Sequence, residues 1–339
     1  MALDPVPWFV GAGARHSAAA ARNLAWNATG GKTGIATPTS LQVKQTSTPG
    51  GNVQIMPGGC VIESTYQGAL QQSYAIRNAS AVNVEIPPNT TGSTQTHYVT
   101  VEVNDPTYAG DNPPSVADGP YNRFQVRMSR QSIHPEHLLA VVRVPPNTSV
   151  ITDSMITDKR ELANPRREEY VFGRPRVAGD GGSQQKLNAK TSDGGEYFPG
   201  GGGSPNIFTL TVPEWATRVM IEASWMSIDY AGGTNPYGHY WVEFGDEYRD
   251  HTWPNKQQYE FATQQFGFNS PGSSNNAMRD NWLLMDALPV ATKLRGKECR
   301  FAFKAGYSDE SGKGAGMDAL GGLGCRVTFV EQPESTDIV

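Results

Sequence analysis

The chain has 339 residues, with 28 Lys plus Arg against 33 Asp plus Glu and a formal net charge of −5. That length favours two domains over one, and mild acidity without a long basic run argues against a nucleic-acid or membrane-surface binder. Only 18% of residues are charged, while Gly (37) and Pro (24) are abundant; both break helices and supply turns, so many short strands are expected.

Residues 1–9 carry no basic region followed by an apolar one, so no secretory signal is read there. No run of about 18 apolar residues suggests a membrane-spanning helix. The first element is a helix over residues 17–28. Ser17 is placed to accept from an orphan amide of the first turn, four alanines (Ala18 to Ala21) favour helix, and Gly30-Gly31 stops it. Leu24, Ala25 and Ala28 are expected to form its apolar stripe.

Strand patterns follow at residues 41–45, 53–56, 59–63, 73–77, 82–86, 98–103, 124–128 and 138–144. In 98–103, Val99, Val101 and Val103 share one face and Tyr98, Thr100 and Glu102 the other. Pro- and Gly-rich clusters between them are turn chemistry. Regular strand–turn spacing of this kind suggests an all-β sandwich or barrel, so residues 1–165 are expected to be a β-rich domain with one short helix. Residues 166–204 are charged at first and then glycine-rich, and read as a linker or extended arm.

From residue 205 to 339 a second β domain is expected. Phe208, Leu210 and Val212 share a face; so do Val219, Ile221, Ala223 and Trp225, and again Tyr240, Val242 and Phe244. Cys299, Phe301 and Phe303 alternate with polar neighbours, and Cys325, Val327 and Phe329 close the set. One-sided alternation means antiparallel sheets with one buried face, and two such sheets make a jelly-roll-like sandwich. The three cysteines, Cys60, Cys299 and Cys325, are too few for a disulfide framework, and Cys299 and Cys325, in apolar strand-like runs, read as small buried hydrophobes.

Chemistry-bearing motifs are scarce. Gly312-Lys313-Gly314 lacks P-loop spacing and the following Ser or Thr. His134-Pro135-Glu136-His137 has neither the spacing nor the order of a zinc-protease motif and reads as a surface turn before a strand. Asp246, Glu247 and Asp250, like Asp309 and Glu310, resemble the carboxylate pairs of glycosidases only in composition; acidic loop residues are ordinarily solvated. No metal, cofactor or catalytic residue is expected.

One constellation stands above background. Tyr230, Tyr237, Tyr240, Trp241, Phe244, Tyr248, Trp253 and Tyr259 are interleaved with Asn235, His239, Glu243, Asp246 and Asp250. Tyr240 and Phe244 fit a sandwich core. Trp241 does not, because it alternates onto a face with His239 and Glu243. An aromatic on a polar face covers something: a loop, a neighbouring subunit or a sugar. Tyr237, His239, Trp241, Glu243 and Trp253 are therefore candidate interface or glycan-contact residues.

Several ordered segments carry a likeness beyond these patterns: Pro7-Trp8-Phe9-Val10-Gly11 through His16-Ser17, Ala28-Thr29-Gly30-Gly31, Pro49-Gly50-Gly51-Asn52-Val53, and Met56-Pro57-Gly58-Gly59. They continue with Gln72-Ser73-Tyr74-Ala75-Ile76-Arg77-Asn78, Val103-Asn104-Asp105-Pro106-Thr107-Tyr108, Gly119-Pro120-Tyr121, and Ile151-Thr152-Asp153-Ser154-Met155-Ile156-Thr157-Asp158 running into Leu162-Ala163-Asn164-Pro165-Arg166. Over residues 1–167 the chain resembles minor tail proteins of siphophages that infect actinobacteria. The resemblance implies a non-enzymatic virion component of the distal tail, assembled in the host bacterial cytoplasm. Other phage tail proteins are the implied partners, and a homo-oligomer, a trimer first, is implied around the tail axis. Through Phe208 to Val212 followed by Pro213 and the strand Val219 to Trp225, residues 205–339 resemble tail-fibre and baseplate β-sandwiches only loosely, which leaves a host cell-surface glycan as an alternative ligand.

Overall fold

The computed structural model describes residues 17–109, 121–130, 133–177, 184–200, 206–230, 235–245, 263–267, 278–308 and 315–333. The chain divides into two units, Met1–Pro165 with Gln332–Val339, and Arg166–Glu331. Both are mainly β, built from antiparallel sheets.

The first unit opens with α1 (Ala18–Thr29). Ser17 caps it by accepting from the Ala20 amide at 2.9 Å, and Gly30 closes it at φ 60°, a left-handed position that glycine adopts without a Cβ clash. Its strands are β1 (Gly34–Ile35), β2 (Val43–Gln45), β3 (Asn52–Ile55), β4 (Gly58–Glu63), β5 (Ser73–Asn78), β6 (Val82–Glu85) and β7 (Gln95–Val103), then, after the single turn α2 (Pro106–Ala109), β8 (Asn122–Arg127), β9 (Glu136–Val144) and β10 (Ile156–Asp158). They form three sheets, β1-β4-β5, β2-β3-β6 and β10-β9-β7-β8. One apolar cluster, including Ile35, Leu41, Val53, Ile62, Val99 and Leu139, joins them.

One expectation for this unit is corrected. No residue of α1 is buried, and Leu24 is 48% exposed. The helix turns Arg22 and Trp26 toward the sheets instead of the expected apolar stripe. The polar face of β7 is also interior: Glu102 is fully buried, held by Arg123 and Arg127 from the neighbouring strand. Burial alone pushes its carboxyl upward, but the two guanidiniums outweigh that and hold it below the ordinary range.

The second unit contains β11 (Arg167–Arg174), β12 (Gln185–Lys186), β13 (Glu196–Tyr197), β14 (Ile207–Thr211), β15 (Arg218–Tyr230), β16 (Tyr237–Phe244), β17 (Thr263–Gly267), β18 (Met278–Pro289), β19 (Glu298–Tyr307), β20 (Ala315–Met317) and β21 (Gly322–Val330). One sheet runs β11-β21-β15 with β18 on the other side of β15, and β20 and β12 continue from the end of β15. The other has β16 between β17 and β19, with β13 and β14 on the far side of β19. The two sheets enclose one core, as expected of a sandwich. Its centre is aromatic: Trp282 stacks on Phe266 at 4.4 Å and on Tyr240 at 5.0 Å, and Trp225 meets Tyr240 edge-on at 5.1 Å. The polar atoms of these rings are satisfied, Trp225 Nε1 donating to the Phe198 carbonyl and Trp282 Nε1 to the Tyr230 hydroxyl.

The span 166–204 is not simply a linker. β11 pairs with β21 over its whole length. Tyr170 and Phe172 turn inward against the core, while Glu169 and Val171 face out. The charges that disguised it are used across the sheet, where Arg326 meets Glu169. Cys299 and Cys325 are buried and free, as expected, and so is Cys60.

Candidate functional site

The candidate face belongs to β16 and its neighbours. Core-facing Tyr240, Val242 and Phe244 alternate with Tyr237, His239, Trp241 and Glu243 on the opposite side. That opposite side is largely covered. His239 is 2% and Glu243 6% exposed; Trp241 is half-buried and Tyr237, at the strand's start, is 40% exposed. Trp253 lies outside the described residues, as do Tyr248, Tyr259, Asp246, Glu247, Asp250, Asp309, Glu310 and the Gly312-Lys313-Gly314 segment.

Part of the cover is the chain itself. Residues 189–198 run beside β19: the Tyr307 amide donates to Ala189, the Phe198 amide to Phe303, and Thr191 Oγ1 to the Gly306 carbonyl at 2.7 Å. Gly195, at φ +61°, lies so close that a Cβ there would sit 2.4 Å from Cη2 of Trp241. A loop therefore occupies one edge of the Trp241 ring, one of the occupants its alternation onto a polar face leaves open.

The electrostatics of the face are tightly organised. Register sets Trp241 beside Lys304 and Glu243 beside Ala302 on β19. Lys304 Nζ lies 5.5 Å from the Trp241 ring centre and 5.6 Å from that of Tyr197, a cation held over two aromatic faces. Glu243 binds Lys304 at 3.2 Å and Arg300 at 2.8 Å. Arg300 also donates to the Tyr197 hydroxyl at 2.8 Å. Burial pushes the Glu243 carboxyl up, yet Lys304 and Arg300 outweigh it and hold it below the usual carboxylate range. An acid anchored by two cations stays ionised and is poorly suited to proton transfer. His239, with Ser308 Oγ 3.3 Å from its Nδ1, is pushed down to about 4 by burial.

A second constellation, missed in the sequence, surrounds α1. The Arg22 guanidinium lies 5.5 Å from the Tyr74 ring centre and 5.6 Å from that of Tyr108. Its Nε donates to Gln72 Oε1 at 2.6 Å and one Nη donates to the Tyr108 hydroxyl at 3.2 Å. Tyr74 donates to Asp105 at 3.0 Å, and Asp105 takes the Thr107 amide that opens α2. Tyr66 stacks on Tyr108 and donates to the Val103 carbonyl. These residues are spread over more than 80 positions, so spacing gave no signal.

His134-Pro135-Glu136-His137 is only partly the surface turn expected. His134 Nδ1 lies 2.9 Å from the Tyr66 hydroxyl, and Glu136 opens β9, pairing with Arg127. His137 is buried and pushed down to about 4 by burial, with Arg160 and Arg130 adding to it. Among the described residues no group of three metal-capable side chains occurs.

No family model matches the chain, and no curated protein matches it. Among solved structures, the infectious bursal disease virus VP2 subviral particle matches over 92% of this chain and 77% of its own, at 11% identity and a TM-score of 0.23. The T13 particle of the same virus matches over 88% and 69%, at 11% identity and a TM-score of 0.20. A β-porphyranase of glycoside hydrolase family 86 from the gut bacterium Bacteroides plebeius matches over 81% and 44%, at 9% identity and a TM-score of 0.21. These are distant likenesses to viral capsid proteins and to an enzyme alike, and at such TM-scores they carry no argument about this chain. What the fold itself defines is a mainly β protein whose C-terminal unit is an antiparallel sandwich.

Proposed function

We propose that the chain is a non-enzymatic structural component of a bacteriophage tail tip or baseplate, assembling with other tail proteins and with copies of itself. The observation that carries this reading is the fate of the segments resembling siphophage minor tail proteins. Gln72, Tyr74, Asp105 and Tyr108 come from two of those segments and meet around Arg22. There they pin a helix to a sheet, which is architectural work. Glu243, the buried acid of the aromatic face, is likewise committed to two cations. Antibodies against the purified chain are expected to decorate the distal tail of phage particles that carry its gene. Decoration of the capsid, or absence of the chain from purified virions, would overturn the reading.

A second reading has its own support. Tyr237 and Trp241 lie on one face of β16, Tyr237 40% exposed and Trp241 half-buried with Lys304 over its ring. Flat rings stack on sugars, so this face is a candidate contact for a host cell-surface glycan. Binding of the whole chain to host cell walls that falls several-fold in Trp241→Ala is the expected result; undiminished binding sinks this reading and leaves the structural one standing.

A further inference from the structure

The outer face of the β11-β21-β15-β18 sheet is not an ordinary solvated surface. Val171, Leu283 and Met285 are 74%, 65% and 76% exposed. The register gathers them at the two margins of one face. One rung across the four strands reads Val171, Arg326, Glu222, Met285, and the next reads Gly173, Gly324, Ser224, Leu283.

The first rung runs apolar, cation, anion, apolar, and that order is complementary to itself. A two-fold axis lying in the contact plane, along the strands between β21 and β15, sets each rung against the same rung reversed. Val171 then meets the partner's Met285, and Arg326 meets the partner's Glu222. Leu283 fills the space left open by the partner's Gly173. Arg326 already reaches Glu169 at 3.5 Å and Glu222 at 3.4 Å. Its side chain stays half exposed, with a guanidinium donor left for a third carboxylate. We propose that this face is an isologous interface on which a second copy of this chain packs sheet against sheet.

Two further observations favour a copy on the face over other modes of association. The outer edge of β18 is a poor template for strand addition, because side chains of β18 itself and of β16 already occupy it. Asp280 takes the Asn281 amide and Asp286 the Ala287 amide, both at 2.7 Å, and the Leu283 carbonyl takes the Tyr240 hydroxyl at 2.7 Å. The area is also adequate. Four strands about 4.8 Å apart and four outward rungs about 6.7 Å apart give roughly 500 Å² per copy. The total of about 1,000 Å² sits at the lower limit for a specific interface, so the dimer is expected to depend on concentration. The contact pairs copies two at a time and does not rest on membership of a tail: a chain absent from virions would still dimerise.

Sedimentation velocity of the full chain over rising concentration is the test. The wild type is expected to pass from monomer to dimer. Arg326→Glu sets carboxylates against carboxylates, and Glu222→Arg sets guanidiniums against guanidiniums, so each alone is expected to stay monomeric. Mixed in equal amounts, the two are expected to recover a dimer, which no folding defect would produce. Met285→Lys, at an exposed position, is expected to keep the wild-type melting temperature and weaken dimerisation at least ten-fold. A wild type that stays monomeric, a trimer instead of a dimer, self-association that ignores these substitutions, or a mixture that remains monomeric would each overturn the proposal.

Discussion

Acidification acts on His239 through a proton that the folded chain refuses. Its imidazole is buried beneath the candidate face, and burial lowers its pKa from 6.5 to about 4. Above pH 6.5 the ring is neutral in both folded and unfolded chains and contributes no pH dependence. Between pH 6.5 and 4 the unfolded chain takes up a proton that the folded one does not, so stability falls as pH falls through this window and levels off below it. At about 1.36 kcal/mol per pKa unit, a displacement of about 2.5 units is worth roughly 3 kcal/mol in full, of which about 2 kcal/mol is lost by pH 5. Carboxylates such as Glu243 lose their own contribution on acidification, so the comparison must be with His239→Gln, which keeps a polar group beside Ser308 but cannot titrate. Urea unfolding followed by tryptophan fluorescence is well suited, because five of the seven tryptophans lie within the second unit. The stability gap between wild type and His239→Gln is expected to shift by about 2 kcal/mol between pH 7.5 and pH 5, toward the glutamine variant. An unchanged gap at the two pH values would refute the assignment of a buried, neutral imidazole.

Other perturbations test the packing directly. Gly195→Val forces a Cβ into Trp241 at a left-handed φ and is expected to destabilise the second unit by at least about 2 kcal/mol, read from its urea midpoint. Arg160 has a fully buried side chain, donates to the Pro38 and Ser40 carbonyls and pairs with Asp158. Arg160→Met leaves those acceptors unpaired beside Leu41, itself at φ 53°, and is expected to cost about 3–5 kcal/mol, measured by far-UV circular dichroism of urea unfolding. Cys60, Cys299 and Cys325 are buried, and burial pushes the Cys60 and Cys325 thiols up to about 12. An aromatic disulfide reagent at pH 8 is expected to label none of them in the native protein and all three in denaturant; native labelling would contradict their burial.

The strands of the sandwich were legible because period-two alternation is written locally. Val219, Ile221, Ala223 and Trp225 needed no partner to declare their face, and Ser17 by its hydroxyl and Gly30 by its left-handed backbone marked the ends of α1. β11 was illegible for the converse reason. Its charges suit a solvated arm until Arg326 stands beside Glu169 and β21 lies along it. The stripe of α1 was misread because a helix can be held by cation–π and hydrogen-bond contacts as well as by apolar burial, and those partners lie up to 86 positions away.

The same division governs the aromatic face. Alternation alone determined that Trp241 shares a side with His239 and Glu243. Only the tertiary structure decided that Gly195 lies against its ring edge, that Lys304 spans two rings and that Glu243 is spent on two cations. Alternation is fixed by the geometry of one extended strand, whereas cover and charge pairing depend on which distant segments the fold brings alongside.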